Sequence, residues 1–290
     1  MSLKASEFIQ NQDGSIYHLN LLPQDIATTV ITVGDPDRVQ AVTKYFDHIE
    51  FKKNKREFHT QTGTYKGKRI TVISTGIGTD NIDIVFNELD ALVNIDFKTR
   101  EIKQKLTCLD IIRIGTSGAI QPDIPVDSFV VSKAGIGFDS MLHFYDSEDI
   151  KDHGFSKALV SELDYSAHLG IPYVVSCDET LAGIFNEGFL PGITLTNCGF
   201  YGPQGRILRL GLQDPGLNEK IATFAYKGGR ITNLEMETAG MYGLAKLMGH
   251  RSVSLNAIIA NRATGEFTGD SKTTVDQLIR KTLDILAINN

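Results

Sequence analysis

The sequence holds only three cysteines, Cys108, Cys177 and Cys198, in 290 residues. They are odd in number, widely spaced and without a CxxC pair, so neither a disulfide scaffold nor a thiol-ligated metal centre is expected, and reduced thiols in a cytosolic protein are the plain reading. No run of about 18 apolar residues occurs, which leaves no candidate membrane span. The amino terminus MSLKASEFIQ lacks a basic segment leading into an apolar one, so secretion is not expected and a cytoplasmic location is. Positive charge is not in excess. A formal net charge of -6 argues against a nucleic-acid or anionic-membrane surface, and any affinity for phosphate has to come from local arginines. The seven histidines form no HxH or HExxH pair, so no metal is expected. Gly76-Ile77-Gly78 lacks the third glycine of a dinucleotide fingerprint, Gly115-Thr116-Ser117-Gly118 is not GxSxG, and no phosphate loop of the GxxxxGKS kind is present.

What is present is an ordinary globular composition, 41% hydrophobic and 22% charged, ample for a large core. Short Val- and Ile-rich runs at residues 30–33, 70–74, 109–114, 129–132, 173–176 and 253–260 read as strands buried on both faces. Between them, Ile82, Val85, Phe86, Leu89 and Val93 recur at helical spacing, as do Val275, Leu278, Ile279 and Leu283 in a last helix that Ser271 is placed to cap. The alternation predicts an α/β fold with a mixed central sheet. No linker divides the chain, so residues 1–290 are expected to form one domain. Residues 94–107 and the Gly-rich 181–199 read as insertions, the second as a candidate lid.

Four segments carry possible chemistry. Ile111-Ile112-Arg113-Ile114 is an apolar strand with one arginine, expected to break into a loop at Gly115-Thr116-Ser117-Gly118; a buried guanidinium needs an anion, either a phosphate or a structural carboxylate. Gly34-Asp35-Pro36-Asp37-Arg38 reads as a strand, a turn and a helix start whose free N–H groups face an anion, or as a plain Asp-capped turn. Glu235-Met236-Glu237 places two carboxylates at a strand end, where they suit vicinal sugar hydroxyls, a glycosidase acid and base, or a solvated helix start. Phe200-Tyr201-Gly202-Pro203-Gln204-Gly205-Arg206 combines a ring, an amide and a guanidinium that match the edge of an imide such as uracil, or simply packs a hairpin. Arg56 on its own reads as a surface charge, and His18 as a surface or core histidine.

The order of these pieces resembles the nucleoside phosphorylase-I superfamily, and within it the uridine phosphorylases. Gly-Asp-Pro-Asp-Arg, Arg-Glu-Phe, Ser-Thr-Gly-Ile-Gly, Arg-Ile-Gly-Thr-Ser-Gly-Ala, Phe-Tyr-x-x-Gln-Gly-Arg, Glu-Met-Glu and Asn-Arg follow one another as in that family, across nearly the whole chain. The resemblance implies a three-layer α/β/α domain and a phosphate site of Gly34, Arg38, Arg113 and Thr116, with Arg56 reaching in from a neighbouring subunit. Ribose would meet Thr116, Glu235, Met236 and Glu237, with His18 of the neighbour at its 5'-hydroxyl. The base would meet Ser117, Gly118, Phe200, Gln204, Arg206 and Arg262. Catalysis would rest on Arg113, Gln204, Arg206 and Glu237.

By the same resemblance the reaction is phosphorolysis of uridine, with phosphate as co-substrate and no further cofactor, in a homo-oligomer that is a dimer or a trimer of dimers. Purine-cleaving relatives use an Asp within the stretch matched by Ala260-Asn261-Arg262-Ala263-Thr264, and this chain has none there. Asn81 stands where relatives that bind an intersubunit cation have serine. Leu234 stands where an aromatic is common, which leaves ribose and deoxyribose both open. Another phosphorylase or nucleosidase of the superfamily, and a non-catalytic nucleoside-binding protein, are the alternative readings.

Overall fold

The Val and Ile runs become the inner strands of one twelve-stranded mixed sheet in a computed structural model, which describes residues 2–289. The amino-terminal half contains β1 (Thr29–Val33), α1 (Pro36–Thr43), β2 (His48–Lys55), β3 (Phe58–Tyr65), β4 (Lys68–Ser74) and α2 (Thr79–Asn94). A separate small hairpin, β5 (Ile95–Asp96) and β6 (Glu101–Ile102), precedes β7 (Asp110–Ala119) and β8 (Phe129–Gly137). Then come α3 (His153–Glu162), β9 (Tyr173–Ser176), α4 (Glu179–Gly183), β10 (Leu190–Thr196), α5 (Leu217–Thr223) and β11 (Ala225–Tyr226). The chain ends with β12 (Gly229–Glu235), α6 (Thr238–Met248), β13 (Arg251–Asn261), β14 (Glu266–Phe267) and α7 (Ser271–Ile288).

The sheet runs β11-β12-β10-β8-β13-β7-β1-β4-β3-β2. β12 pairs a second time, antiparallel, with β7, through Asn233 against Ala119 and Leu234 against Gly118. That pairing closes β7, β13, β8, β10 and β12 into a ring, and β1, β4, β3 and β2 extend from it as a wing. β1 is parallel to β4 and β7, and β13 is parallel to β7, so the carboxyl ends of these strands share one edge, the usual place for a ligand in an α/β sheet. β1 and Ile111, Ile112 and Ile114 of β7 are fully covered, as strands with helices on both faces must be. α2 turns Ile82, Val85, Phe86 and Leu89 inward and packs on α6, while α1 packs on α7. At the outer edge, β2 alternates exposed and half-covered residues and is rich in charge, which protects an unpaired strand from association.

Three sequence expectations change. Gly115-Thr116-Ser117-Gly118 is not a loop: β13 pairs with β7 from Asp110 through Ala119, so the small residues stay in the ladder. The cap of α7 is Asp270, whose carboxylate accepts the Thr273 N–H at 3.1 Å; Ser271 is the first helical residue. Residues 181–199 are not one loop: they hold the end of α4 and all of β10, which lies inside the sheet between β8 and β12. Residues 94–107 do stand off the main sheet, around the β5–β6 hairpin.

β10 belongs to the buried ring, so the amides of Ile193 to Thr196 should exchange with solvent as slowly as those of β7 in hydrogen-exchange mass spectrometry. Fast exchange there would return the segment to a mobile lid.

Candidate active site

Arg113 enters the interior with its neighbours on β7 and is 5% exposed. Its Nη1 donates to Asn256 Oδ1 of β13 at 3.0 Å, and its Nη2 donates to Glu237 and lies 3.3 Å from Glu235. Gly115 makes this possible: a Cβ there would sit 1.8 Å from Arg113 Nη1, so only glycine lets the guanidinium fold back along its own strand. Asn256 is in turn fixed by donating to the hydroxyls of Ser132 and Ser254, each at 3.2 Å.

The two glutamates occupy the junction of β12 and α6. Glu235 accepts the N–H groups of Glu237 at 2.9 Å and Thr238 at 3.0 Å, and the Thr196 hydroxyl at 2.7 Å from its paired position on β10. Glu237 accepts the Gly78 N–H at 2.8 Å. Burial pushes the Glu235 carboxyl above its ordinary value, although Arg113 pulls the other way and Glu237 adds to the rise. Burial also opposes the Arg113 charge, but Glu237 and then Glu235 outweigh it and its pKa moves up.

At the end of β1, Gly34 leads into α1, where Asp35 accepts the Asp37 N–H at 2.9 Å as an N-cap. The cap and the anion-facing helix start are therefore the same structure. Arg38 points back over β7, its Nη1 3.4 Å from the Ile114 carbonyl. Burial and then the neighbouring Arg113 lower its pKa, yet a guanidinium keeps its charge. Among the described residues no carboxylate lies within ion-pairing distance of Arg38, so its charge is offered to the cleft.

The opposite wall is the segment after β10. Gln204 is 3% exposed, and Gly205 closes its turn at φ +69°, a conformation that favours glycine. Arg206 lies with its guanidinium carbon 3.8 Å from the Phe200 ring centroid and donates to the Phe200 carbonyl at 2.7 Å and to Gln204 Oε1 at 2.5 Å. Arg262 does not line the cleft. It donates to the Gln204 and Gly205 carbonyls at 3.2 and 3.3 Å and so braces the turn.

These walls enclose a cleft of about 690 Å³ that brings together Gly34, Arg38, Arg113, Thr116, Ser117, Gly118, Phe200, Gln204, Arg206, Glu235, Met236 and Glu237. Arg56 and His18 lie outside it: Arg56 sits at the exposed β2–β3 turn with φ +54°, and His18 packs on α2. Sequence reasoning did not place Gly76, Ile77, Ile259 or Phe267 on the wall, where they also stand. Gly76 was within reach, since Ser-Thr-Gly-Ile-Gly was already a matching segment. Phe267 lies on a two-residue strand that leaves no periodic signal.

The family model described as the phosphorylase superfamily matches residues 28–288. The chain belongs to this superfamily. Within the superfamily it is 31% identical to a uridine phosphorylase of Thermococcus kodakarensis over 269 residues, 91% of this chain and 83% of that one. It is 27% identical to a purine nucleoside phosphorylase, DeoD-type, of Bacillus subtilis, covering 87% of this chain and 89% of that one. Among solved structures, a Trypanosoma brucei nucleoside phosphorylase described as showing uridine phosphorylase activity superposes with a TM-score of 0.86 at 26% identity, covering 98% of this chain and all of that one.

Replacing Arg113 by alanine leaves Glu235 and Glu237 buried without their cation. The native state then favours a protonated Glu235 even more strongly. A carboxyl whose folded pKa is raised binds more protons folded than unfolded, so stability falls as pH rises above its ordinary value of 4.5. The Tm deficit of Arg113→Ala relative to the parent should therefore widen from about pH 5 to about pH 8 in thermal melts. A deficit independent of pH would contradict the buried charge network.

Proposed function

We propose that this protein cleaves uridine with inorganic phosphate, releasing uracil and ribose 1-phosphate. The observation that carries this reading is the polarity of this cleft: two arginines at one end, two buried carboxylates beside them, and an amide with a guanidinium on the opposite wall. Arg38 and Arg113 suit a phosphate. Glu237 suits the vicinal hydroxyls, since an ionised carboxylate accepts two O–H donors. Gln204 and Arg206 suit the carbonyl and imide edge of uracil.

As the glycosidic bond loosens, phosphate attacks the anomeric carbon. The sugar takes on oxocarbenium character beside the anionic phosphate, and the departing base takes on negative charge at its carbonyl oxygens. Donors already in place there stabilise the transition state without reorganising, and one such donor is worth roughly 3 to 4 kcal/mol of barrier. The base leaves as a stabilised anion, so no acid is needed at the ring. Asn261, in the stretch where purine-cleaving relatives carry an acid, is buried and donates to the Gln121 and Ile124 carbonyls at 2.9 and 2.8 Å. That structural role argues for a pyrimidine over a purine.

The site is completed across an interface in this reading. His18 and Arg56 lie outside their own cleft, and Ile77 on its wall is 67% exposed, which supports a second copy covering it in a homo-oligomer. No described helix is long and apolar enough to cross a membrane, in keeping with a cytosolic enzyme.

Purified protein should release uracil from uridine only when phosphate is present, and should leave inosine and adenosine intact. Phosphate-independent release would make it a hydrolase, and cleavage of the purines would move the assignment within the superfamily. Gln204→Ala should lower kcat/KM for uridine by about 10² to 10³, the loss of one oxyanion donor, and narrow its preference over cytidine. Unchanged selectivity would remove Gln204 from base recognition.

A further inference from the structure

The interior of the strand ring holds a row of buried polar side chains to which the reaction described above gives no task. From Arg113 on β7 the row passes to Asn256 on β13 at 3.0 Å and to Ser132 on β8 at 3.2 Å. It continues to Thr194 on β10 at 2.5 Å, to Asn233 on β12 at 3.0 Å, and back to β7 at Ser117 at 2.9 Å. Every strand of the ring contributes, and none of the six side chains belongs to a residue more than 5% exposed. We propose that this circuit makes the Ser117 hydroxyl an obligate donor to a carbonyl oxygen of the base, with Asn233 as the positioning residue. This rests on the reading of the cleft as a uridine site and supplies it with a means of rejecting an amino group.

Arg113 sets the direction of the circuit. A guanidinium only donates, so the Asn256 atom that faces it is the oxygen, and the amide nitrogen is left for Ser132. Ser132 accepts from that nitrogen and gives its own hydrogen to Thr194, which in turn gives its hydrogen to Asn233 Oδ1. Asn233 Nδ2 is then the atom that donates to Ser117 Oγ. All the bonds point one way, and an aligned chain of this kind polarises each member in turn. The hydrogen of the Ser117 hydroxyl meets no acceptor among the described residues, and Ser117 lines the cleft. Its place is beside the base wall: a Cβ on the next residue, Gly118, would lie 3.7 Å from Arg262 Cγ, and Arg262 braces the Gln204 turn. A donor held there accepts a carbonyl oxygen as its partner, opposes the amino group of cytosine, and strengthens as the departing base gains negative charge.

Ser117→Ala removes the donor, and Asn233→Asp turns it round, because an ionised carboxylate only accepts and takes the Ser117 hydrogen for itself. The full-length variants are assayed for phosphate-dependent cleavage of uridine and of its 2-thio and 4-thio analogues, in which a weakly accepting sulfur replaces one carbonyl oxygen. Ser117→Ala should lower kcat/KM for uridine about ten- to a hundred-fold, the effect of losing a hydrogen bond to a group that gains charge, but less than about three-fold for one of the two analogues. Asn233→Asp should match the uridine loss at about pH 8 and approach the parent towards about pH 5, where a buried, protonated carboxyl donates again. The charged neighbours Arg113, Glu235 and Glu237 are common to both proteins, so the profile is read as the ratio of variant to parent. Equal losses on all three substrates, no loss after Ser117→Ala, or an Asn233→Asp loss that does not change with pH would overturn the circuit's role. A parent protein inactive on uridine would instead overturn the reading it rests on.

Discussion

Placing a guanidinium in the middle of an isoleucine-rich strand is costly unless its charge is matched, and the organisation of the site follows from how Arg113 is matched. Its partners come from three directions: Asn256 from β13, Glu235 from the end of β12, and Glu237 from the start of α6. Glu237 carries the network on to Gly78 at the head of α2, and Glu235 carries it to Thr196 on β10. A single buried charge thus sets the relative positions of the ring, two helix starts and the cleft floor. An apolar core would hold the same elements together at lower cost, so stability alone does not account for the arrangement.

Charge is distributed unevenly along the cleft. Arg113 is matched by two carboxylates, whereas among the described residues Arg38 has no carboxylate at ion-pairing distance and donates to the Ile114 carbonyl. The positive end is therefore made by Arg38 and the start of α1, with Arg113 supplying donors of fixed direction. At the other end, Arg206 is held against Phe200 and Gln204 while Arg262 and Asn218 brace the turn's carbonyls, so the donor-rich wall has its shape before any base arrives. Electrostatic stabilisation of a transition state depends on such prior arrangement.

Much of this was legible in the chain because the informative residues are chemically expensive. An arginine among isoleucines, two glutamates at a strand end and a glutamine–arginine turn each stand out against a β-rich background, and their order along the sequence identified the superfamily. What was hidden depends on pairing across the sheet. Residues 115–118 are small and hydroxyl-bearing, a loop composition, and become strand only because β13 lies alongside. β10 contains Pro191 and Gly192, which local propensity assigns to a turn, yet parallel partners on both sides keep it extended. Arg262 carries a charge that suggests a ligand, and its bracing role emerges only when the turn it supports is folded against it. His18 and Arg56 carry no local signal of a ligand, and the fold places both outside the cleft of their own chain.

The ring of β7, β13, β8, β10 and β12 also bears on how the chain reaches its native state. β7 is flanked by β1 and β13, partners drawn from opposite ends of the sequence, and the ring closes through β12. Contacts of such long sequence separation must overcome large loop-closure entropy before they stabilise anything, which slows folding. During synthesis β1, β4 and β7 can pair early, but the Asn256 side of Arg113 and both glutamates arrive only with the last third of the chain. Until then the guanidinium has no counter-charge, and β7 cannot settle fully into an apolar interior.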